Sequence, residues 1–328
     1  MDEMPQHAGR YAVMLRTHLW DDYVERQYQR LVSRSRGGDV FILVDETNGR
    51  VDIPHPNVVS HTQEGVLALG LSKAGYGNLL WFNGDYPLYA FHHEKPGYGY
   101  YVMVEYDVTV QLDLGDMISR LEREGVDFVG LTKGEPVAEW PHAASCLDAY
   151  RPEQVQKRLI CLAAFSRRAV EHLFAKRLEL SREHRAGALR RWPYCEAFIP
   201  TELGLAGFKL AELSDFGPTD FYDWKPALVE TDLPLFQGQA FLHPVLDPKR
   251  YVQHTMKDVW PPEAFFYPGA EVGRRLRRVP AGVYGPPLLR ALWKRAGDAV
   301  RARLATPSKA PARGQAAGRP AQAGGKGE

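Results

Sequence analysis

A chain of 328 residues, 45% hydrophobic and 25% charged, has the balance of a soluble globular protein and room for one large α/β domain or two small ones. The formal net charge of +1 hides an asymmetry: residues 1–272 hold 28 basic and 38 acidic side chains, residues 273–304 nine and one, and residues 305–328 four and one. An acidic body excludes a general nucleic-acid-binding surface, the basic end predicts a partner of its own, and the lack of any run of 18 apolar residues excludes a membrane-spanning helix.

In chain order, residues 1–10 are polar, carry no signal peptide and are expected to be disordered. Tyr11-Ala-Val-Met-Leu15 predicts a buried first strand. Residues 21–33 predict a helix with Asp21 and Asp22 at its N-terminus, where the macrodipole favours acids. Val40-Phe-Ile-Leu-Val44 predicts a strand covered on both faces, ending in Asp45. Residues 48–62 read as loop. Leu79-Leu-Trp-Phe82 reads as a short strand that ends in a turn, Asn83-Gly84-Asp85. His92-His93-Glu94 reads as surface loop. Tyr100-Tyr-Val-Met-Val104 predicts a strong strand running into Glu105-Tyr106-Asp107, followed by a helix over 116–124 and a strand over 128–131. Residues 155–180 read as helix in two pieces around Ser166. Strand-like pieces follow near 208–213 and 240–242, the second ending in His243-Pro244. Cys146, Cys161 and Cys195 are far apart, form no C-x-x-C, and read as reduced thiols in a cytosolic protein.

Alternating strands and helices over 11–135, with polar residues at the strand ends, predict an α/β fold that binds its ligand beyond those ends. In Glu105-Tyr106-Asp107 the two acids at i and i+2 project from one face of a strand. Carboxylates so placed suit Mn²⁺ or Mg²⁺, hard cations that commonly bridge carboxylates to phosphate oxygens. A neutral His243 imidazole is a candidate third ligand. Glu196, in an aromatic and apolar segment, is a candidate general base with a raised pKa, and Glu202 is its alternative. Asp45, Arg16, Thr17, Asn83 and Asp85 are candidate contacts for a nucleotide donor. A structural reading stands beside each of these: a turn for Asp45 and Asn83-Gly84-Asp85, and a helix N-terminal acid for Glu196.

With an early strand ending in Asp45, a middle strand ending in Glu105-Tyr-Asp107, an acidic motif at Glu196-Ala-Phe-Ile-Pro-Thr and a late His243, residues 10–250 resemble the GT-A glycosyltransferases. The resemblance implies a Rossmann-like, mostly parallel sheet flanked by helices, with residues 11–272 as the catalytic domain. It implies a nucleoside-diphosphate-sugar donor, Mn²⁺ or Mg²⁺ on Glu105, Asp107 and His243, and transfer of a hexosyl-type group (EC 2.4) to a hydroxyl of a glycan or lipid-linked acceptor. The first metal-motif residue is Glu where the family more often has Asp. The chain is most similar to branches associated with bacterial surface-polysaccharide or glycolipid synthesis.

Three alternatives stay open. A silent binding or scaffold protein would bind donor without turnover. A nucleotidyltransferase of the same fold would want a Gly-rich basic loop, which Leu15-Arg-Thr-His-Leu-Trp20 lacks. A metal-dependent hydrolase would need a denser His/Asp cluster. Finally, Leu289, Leu292, Trp293, Ala296, Val300 and Leu304 recur at helical spacing among basic residues, with Pro286 and Pro287 expected at the helix start. This basic extension over 273–305 predicts either docking on the acidic body or peripheral binding to the inner face of a plasma membrane. Residues 306–328, rich in Ala, Pro, Gly and Lys, are expected to be disordered.

Overall fold

The computed structural model describes residues 11–73, 79–258 and 261–305; the disorder expected for 1–10 and 306–328 lies outside the described residues. The chain begins with β1 (Tyr11–Thr17), α1 (Asp22–Ser33), β2 (Asp39–Asp45), β3 (Val58–His61), α2 (Gln63–Ala68), α3 (Leu79–Phe82) and α4 (Tyr86–Glu94). It continues with β4 (Tyr100–Glu105), β5 (Thr109–Val110), α5 (Leu114–Glu124), β6 (Phe128–Leu131), β7 (Leu159–Ser166), α6 (Arg167–Arg185), α7 (Cys195–Leu205) and β8 (Leu210–Glu212). The last part holds β9 (Leu228–Val229), β10 (Phe241–Leu242), β11 (Val245–Leu246), α8 (Pro248–Asp258), α9 (Glu271–Leu276) and α10 (Ala281–Ala305).

Seven strands form one sheet in the order β3-β2-β1-β4-β7-β6-β8. β1, β2, β3 and β4 run parallel, and β7 runs antiparallel to both its neighbours. The class is therefore α/β with a mostly parallel sheet flanked by helices, as expected. Strand residues alternate between two cores because successive side chains leave opposite faces. Ala12, Met14, Tyr101 and Met103 face the core covered by α4, α6 and α7. Tyr11, Val13, Leu15, Val102 and Val104 face the core covered by α1 and α5.

The helices start and stop where local chemistry directs. Asp21 caps α1 by accepting from the backbone N–H of Tyr23 and Val24, and the helix buries Tyr23, Val24, Gln27, Tyr28 and Leu31 on one face. Asp113 caps α5, and Gly125 ends it at φ 64°, a left-handed conformation that a side chain disfavours.

Several local expectations fail for tertiary reasons. Residues 58–61 form β3 rather than loop, because the exposed edge of β2 offers a parallel partner from Ile42 to Asp45. Residues 79–82 are helix, not strand, and Leu79, Leu80 and Phe82 all enter the core. His92, His93 and Glu94 close α4, where His92 Nδ1 meets the Tyr101 hydroxyl at 2.8 Å. The segment before Ser166 is strand, not helix. β7 lies between β4 and β6 with nearly every residue buried, so a continuous apolar run was open to either reading. Ser166 is the N-cap of α6, accepting from Ala169 N–H. α10 starts at Ala281, so Pro286 and Pro287 lie inside the helix rather than at its start.

Candidate active site

β1 has β2 on one side and β4 on the other, so the strand order reverses beside it. In open α/β sheets such a switch point leaves a crevice beyond the strand ends. A cleft of about 840 Å³ lies there. It is lined by Arg16 and Thr17 from the end of β1, Asp45 from β2, His61 from β3 and Glu105 from β4, with Tyr106 and Asp107 just beyond. Lys133, Lys157 and Arg158 add positive charge, and Trp81, Trp140, His142, Tyr194 and Trp224 add rings. His142 stacks on Tyr194 with centroids 4.4 Å apart.

The acids at 105 and 107 converge with His243, as the sequence predicts. His243 follows β10, which pairs with β5 just after Asp107, and this antiparallel pair carries the distant histidine back to the motif. His243 Nε2 stands 3.6 Å from Asp107 Oδ1. Its Nδ1 lies 2.5 Å from the carbonyl oxygen of Asp223, so Nδ1–H donates there and Nε2 faces the acids. Burial opposes a charge on this ring, but Asp107 and Glu105 outweigh burial and raise its pKa. An imidazole so flanked holds either a proton or a cation.

Cys161 is a ligand candidate that sequence reasoning missed. One ligand atom each of Glu105, Cys161 and His243 lies within 4.8 Å of the others. Val104 of β4 pairs with Leu162 of β7, which brings Cys161 beside Glu105 at the next position. Burial, and after it Glu105, pushes the thiol well above its ordinary range. The signal was available only if residues 159–166 were read as a strand adjoining β4. The carboxylates of Glu105 and Asp107 suit Mn²⁺ or Mg²⁺, the His243 imidazole adds a nitrogen donor whose second nitrogen is already committed, and the Cys161 thiol is a softer donor that favours a metal such as Zn²⁺ over either.

Glu196 also reaches the cleft. It lies in the first turn of α7, where the dipole favours its anion, yet its carboxyl is pushed up to about 8 by burial, with Glu105 adding to the rise. Burial wins because Cys195, Ala197 and Phe198 around it on α7 are all core residues, together with Ile160 of β7, whose N–H faces the carboxyl. Ile160 N–H donates weakly to its Oε1 at 3.4 Å.

Arg16 reaches the cleft and pairs with Glu105 at 3.6 Å. Thr17 also lines it, with its hydroxyl donating to Leu19 O at 2.6 Å. Asp45 lines the cleft while its Oδ1 accepts from Thr47 N–H at 2.9 Å, so the turn role and cleft exposure coexist. His61, paired across from Asp45 on β3, is kept neutral: burial lowers its pKa to about 4.

Three expected site residues are elsewhere. Asp85 is wholly buried and accepts from Arg177 Nε at 2.7 Å and Nη2 at 3.2 Å, and from the Tyr89 hydroxyl at 2.9 Å. The pair sits in a core, with the guanidinium 3.8 Å from the Phe198 ring centre. Asn83 is equally buried, and of this turn only Gly84 reaches the cleft. Donor contacts by Asn83 and Asp85 are therefore corrected: the turn follows a helix that points inward. Glu202 is corrected too. On α7 six residues beyond Glu196, it accepts from the Tyr150 hydroxyl and from His172 Nε2, both at 2.8 Å, and lies outside the cleft lining.

No family model matches the chain, and no curated protein matches it. Among solved structures the chain is similar to mouse xyloside xylosyltransferase 1 in its apo form, at 10% identity and a TM-score of 0.38, over 71% of this chain and 97% of that one. It is similar to the apo WbbM bifunctional glycosyltransferase at 14% identity and a TM-score of 0.41, over 84% of this chain and 53% of that one. It is similar to a glycosyltransferase involved in glycosylation of the major capsid of PBCV-1 at 9% identity and a TM-score of 0.36, over 71% and 93%.

Proposed function

We propose that this chain is a metal-dependent GT-A-type glycosyltransferase that moves a sugar from a nucleoside diphosphate to a hydroxyl of a glycan or lipid-linked acceptor. The observation that carries this reading is the convergence of Glu105, Cys161 and His243 at the switch-point cleft, with Asp107 3.6 Å from the His243 ring. A bound Mn²⁺ or Mg²⁺ would neutralise the donor diphosphate there. Arg16, Lys133, Lys157 and Arg158 line the same cleft and supply further positive charge for phosphate oxygens. Asp45 and His61, at the ends of β2 and β3, are placed to accept and donate hydrogen bonds to ribose or base.

In the transfer, the acceptor hydroxyl oxygen bonds to the anomeric carbon. The bond from that carbon to the phosphate oxygen breaks, and its electron pair leaves with the nucleoside diphosphate. For an inverting reaction the hydroxyl proton passes to the Glu196 carboxylate; with its pKa raised to about 8, this group is a stronger base than an ordinary glutamate, and its deprotonated form grows as pH rises toward and past 8. For a retaining reaction Glu196 orients donor or acceptor. Surface-polysaccharide or glycolipid synthesis on the cytoplasmic side is the setting this reading favours.

The deciding experiment is a thermal-shift screen of UDP-, GDP-, CMP- and dTDP-sugars, with and without Mn²⁺, on wild type and Asp107→Ala. A ligand that binds the folded state alone raises stability by mass action. A Mn²⁺-dependent rise with one nucleotide, lost in the variant, supports the reading. No rise with any donor at saturation overturns it.

A further inference from the structure

α10 packs on the body by one face only. Leu288 is buried, and Tyr284 and Leu292 are half-buried, against Val272, Leu276 and Tyr251; these three positions on α10 fall at i, i+4 and i+8. One residue along, a second row stays in water. Leu289 is 58% exposed, Trp293 78% and Val300 56%, with exposed Ala296 between them. At 100° per residue these four fall within about 60° of one another, a single apolar stripe.

The stripe is bordered mainly by positive charge. Arg290 and Lys294 are exposed along one border; Arg301 beside them pairs with Asp298, and Arg295, on the body-facing side, pairs with Glu263. Asp298 is the single acid from 273 to 304. Before α10, Phe266 and Tyr267 are also exposed, while Phe265 packs on Tyr284 on the body-facing side of the helix. No described helix is long and apolar enough to cross a membrane.

We infer that the outer face of α10 is a docking surface for an anionic phospholipid bilayer. An apolar stripe with a tryptophan, bordered by Lys and Arg, lies in the interface plane with its rings at headgroup depth and its cations on lipid phosphates. Charge sets the orientation. Residues 1–272 carry an excess of ten acids and are repelled by an anionic surface, while residues 273–328 carry an excess of eleven bases and are drawn to it. Weak, reversible binding follows, since a single amphipathic helix supplies little buried area.

The test is flotation of the full chain with vesicles of phosphatidylcholine alone and with added phosphatidylglycerol, at low and high salt. Wild type floats with the anionic vesicles, less so at high salt, and poorly with neutral ones. Leu289→Ser with Trp293→Ser, and separately Arg290→Glu with Lys294→Glu, each reduce partitioning by more than roughly tenfold. These side chains are exposed, so both variants keep the wild-type unfolding temperature and the wild-type donor thermal shift. That readout separates failure of the lipid surface from failure of the transferase reading. Wild type that ignores anionic vesicles, or variants that float as well as wild type, overturn the inference. Self-association of wild type that Trp293→Ser abolishes, without vesicle binding, overturns it in favour of a second copy of the chain.

Discussion

His243 turns its Nε2 toward Asp107, 3.6 Å away, because its Nδ1–H is held by the carbonyl oxygen of Asp223 at 2.5 Å. The partner that fixes the ring is backbone, so no side-chain change at 223 removes it. The imidazole itself is removable. His243→Ala is expected to weaken Mn²⁺ binding by more than the roughly 10–100-fold that outer hydrogen-bond partners are worth. Isothermal titration of Mn²⁺ into wild type and variant measures this. Equal affinities would place the cation elsewhere.

Cys161 makes the site softer than one built of oxygen and nitrogen alone. Co²⁺ added to wild type is expected to show a sulfur-to-metal charge-transfer band in the near ultraviolet. Cys161→Ser should lose the band and keep the fold. A spectrum identical in both proteins would remove the thiol from the ligand set.

Glu196 borders the cleft without belonging to the cation cluster. Glu196→Gln preserves shape and removes proton transfer. Turnover is expected to fall about 10²–10⁴-fold while the Mn²⁺-dependent donor shift persists. Steady-state kinetics beside the thermal-shift assay separate the two effects; loss of both would make Glu196 a binding residue.

Asp85 and Arg177 form a fully buried pair behind the cleft wall. Removing one partner leaves an uncompensated buried charge, so Asp85→Ala is expected to cost about 3–5 kcal/mol of stability. Urea denaturation checks the size. A stable Asp85→Ala protein that had lost only donor binding would restore Asp85 to the site.

Asp127 gives a pH dependence with a definite sign. Burial would raise its pKa, but the Arg168 fork, the Ser166 hydroxyl and the Lys209 N–H outweigh burial and lower it. A depressed carboxylate contributes stability above its unfolded pKa of about 3.9 and loses it as pH falls through the folded value. The unfolding-temperature gap between wild type and Asp127→Asn is therefore expected to be full at neutral pH and to close below about pH 4. A gap that stays constant down to pH 3 would contradict the assignment.

The sequence by itself determined the parts whose signal is local. The apolar runs of β1, β2 and β4 declared buried strands, Asp21 announced the start of α1, and the acid-x-acid motif after β4 put two carboxylates on one side of a strand end. His243 was singled out only through the family resemblance, since a lone histidine carries little local signal. Tertiary structure decided what local pattern leaves ambiguous. Residues 159–165 are apolar throughout, a run that suits a buried helix as well as a central strand, and only the place between β4 and β6 made them strand and brought Cys161 to Glu105. Asn83-Gly84-Asp85 has the composition of an exposed turn, and only the distant Arg177 shows that Asp85 is a core counter-ion. Glu196 and Glu202 share one helix and similar neighbours in sequence. Packing turned one toward the cleft and the other onto Tyr150 and His172, because six residues rotate a side chain by about 240° round the helix and so onto a different face.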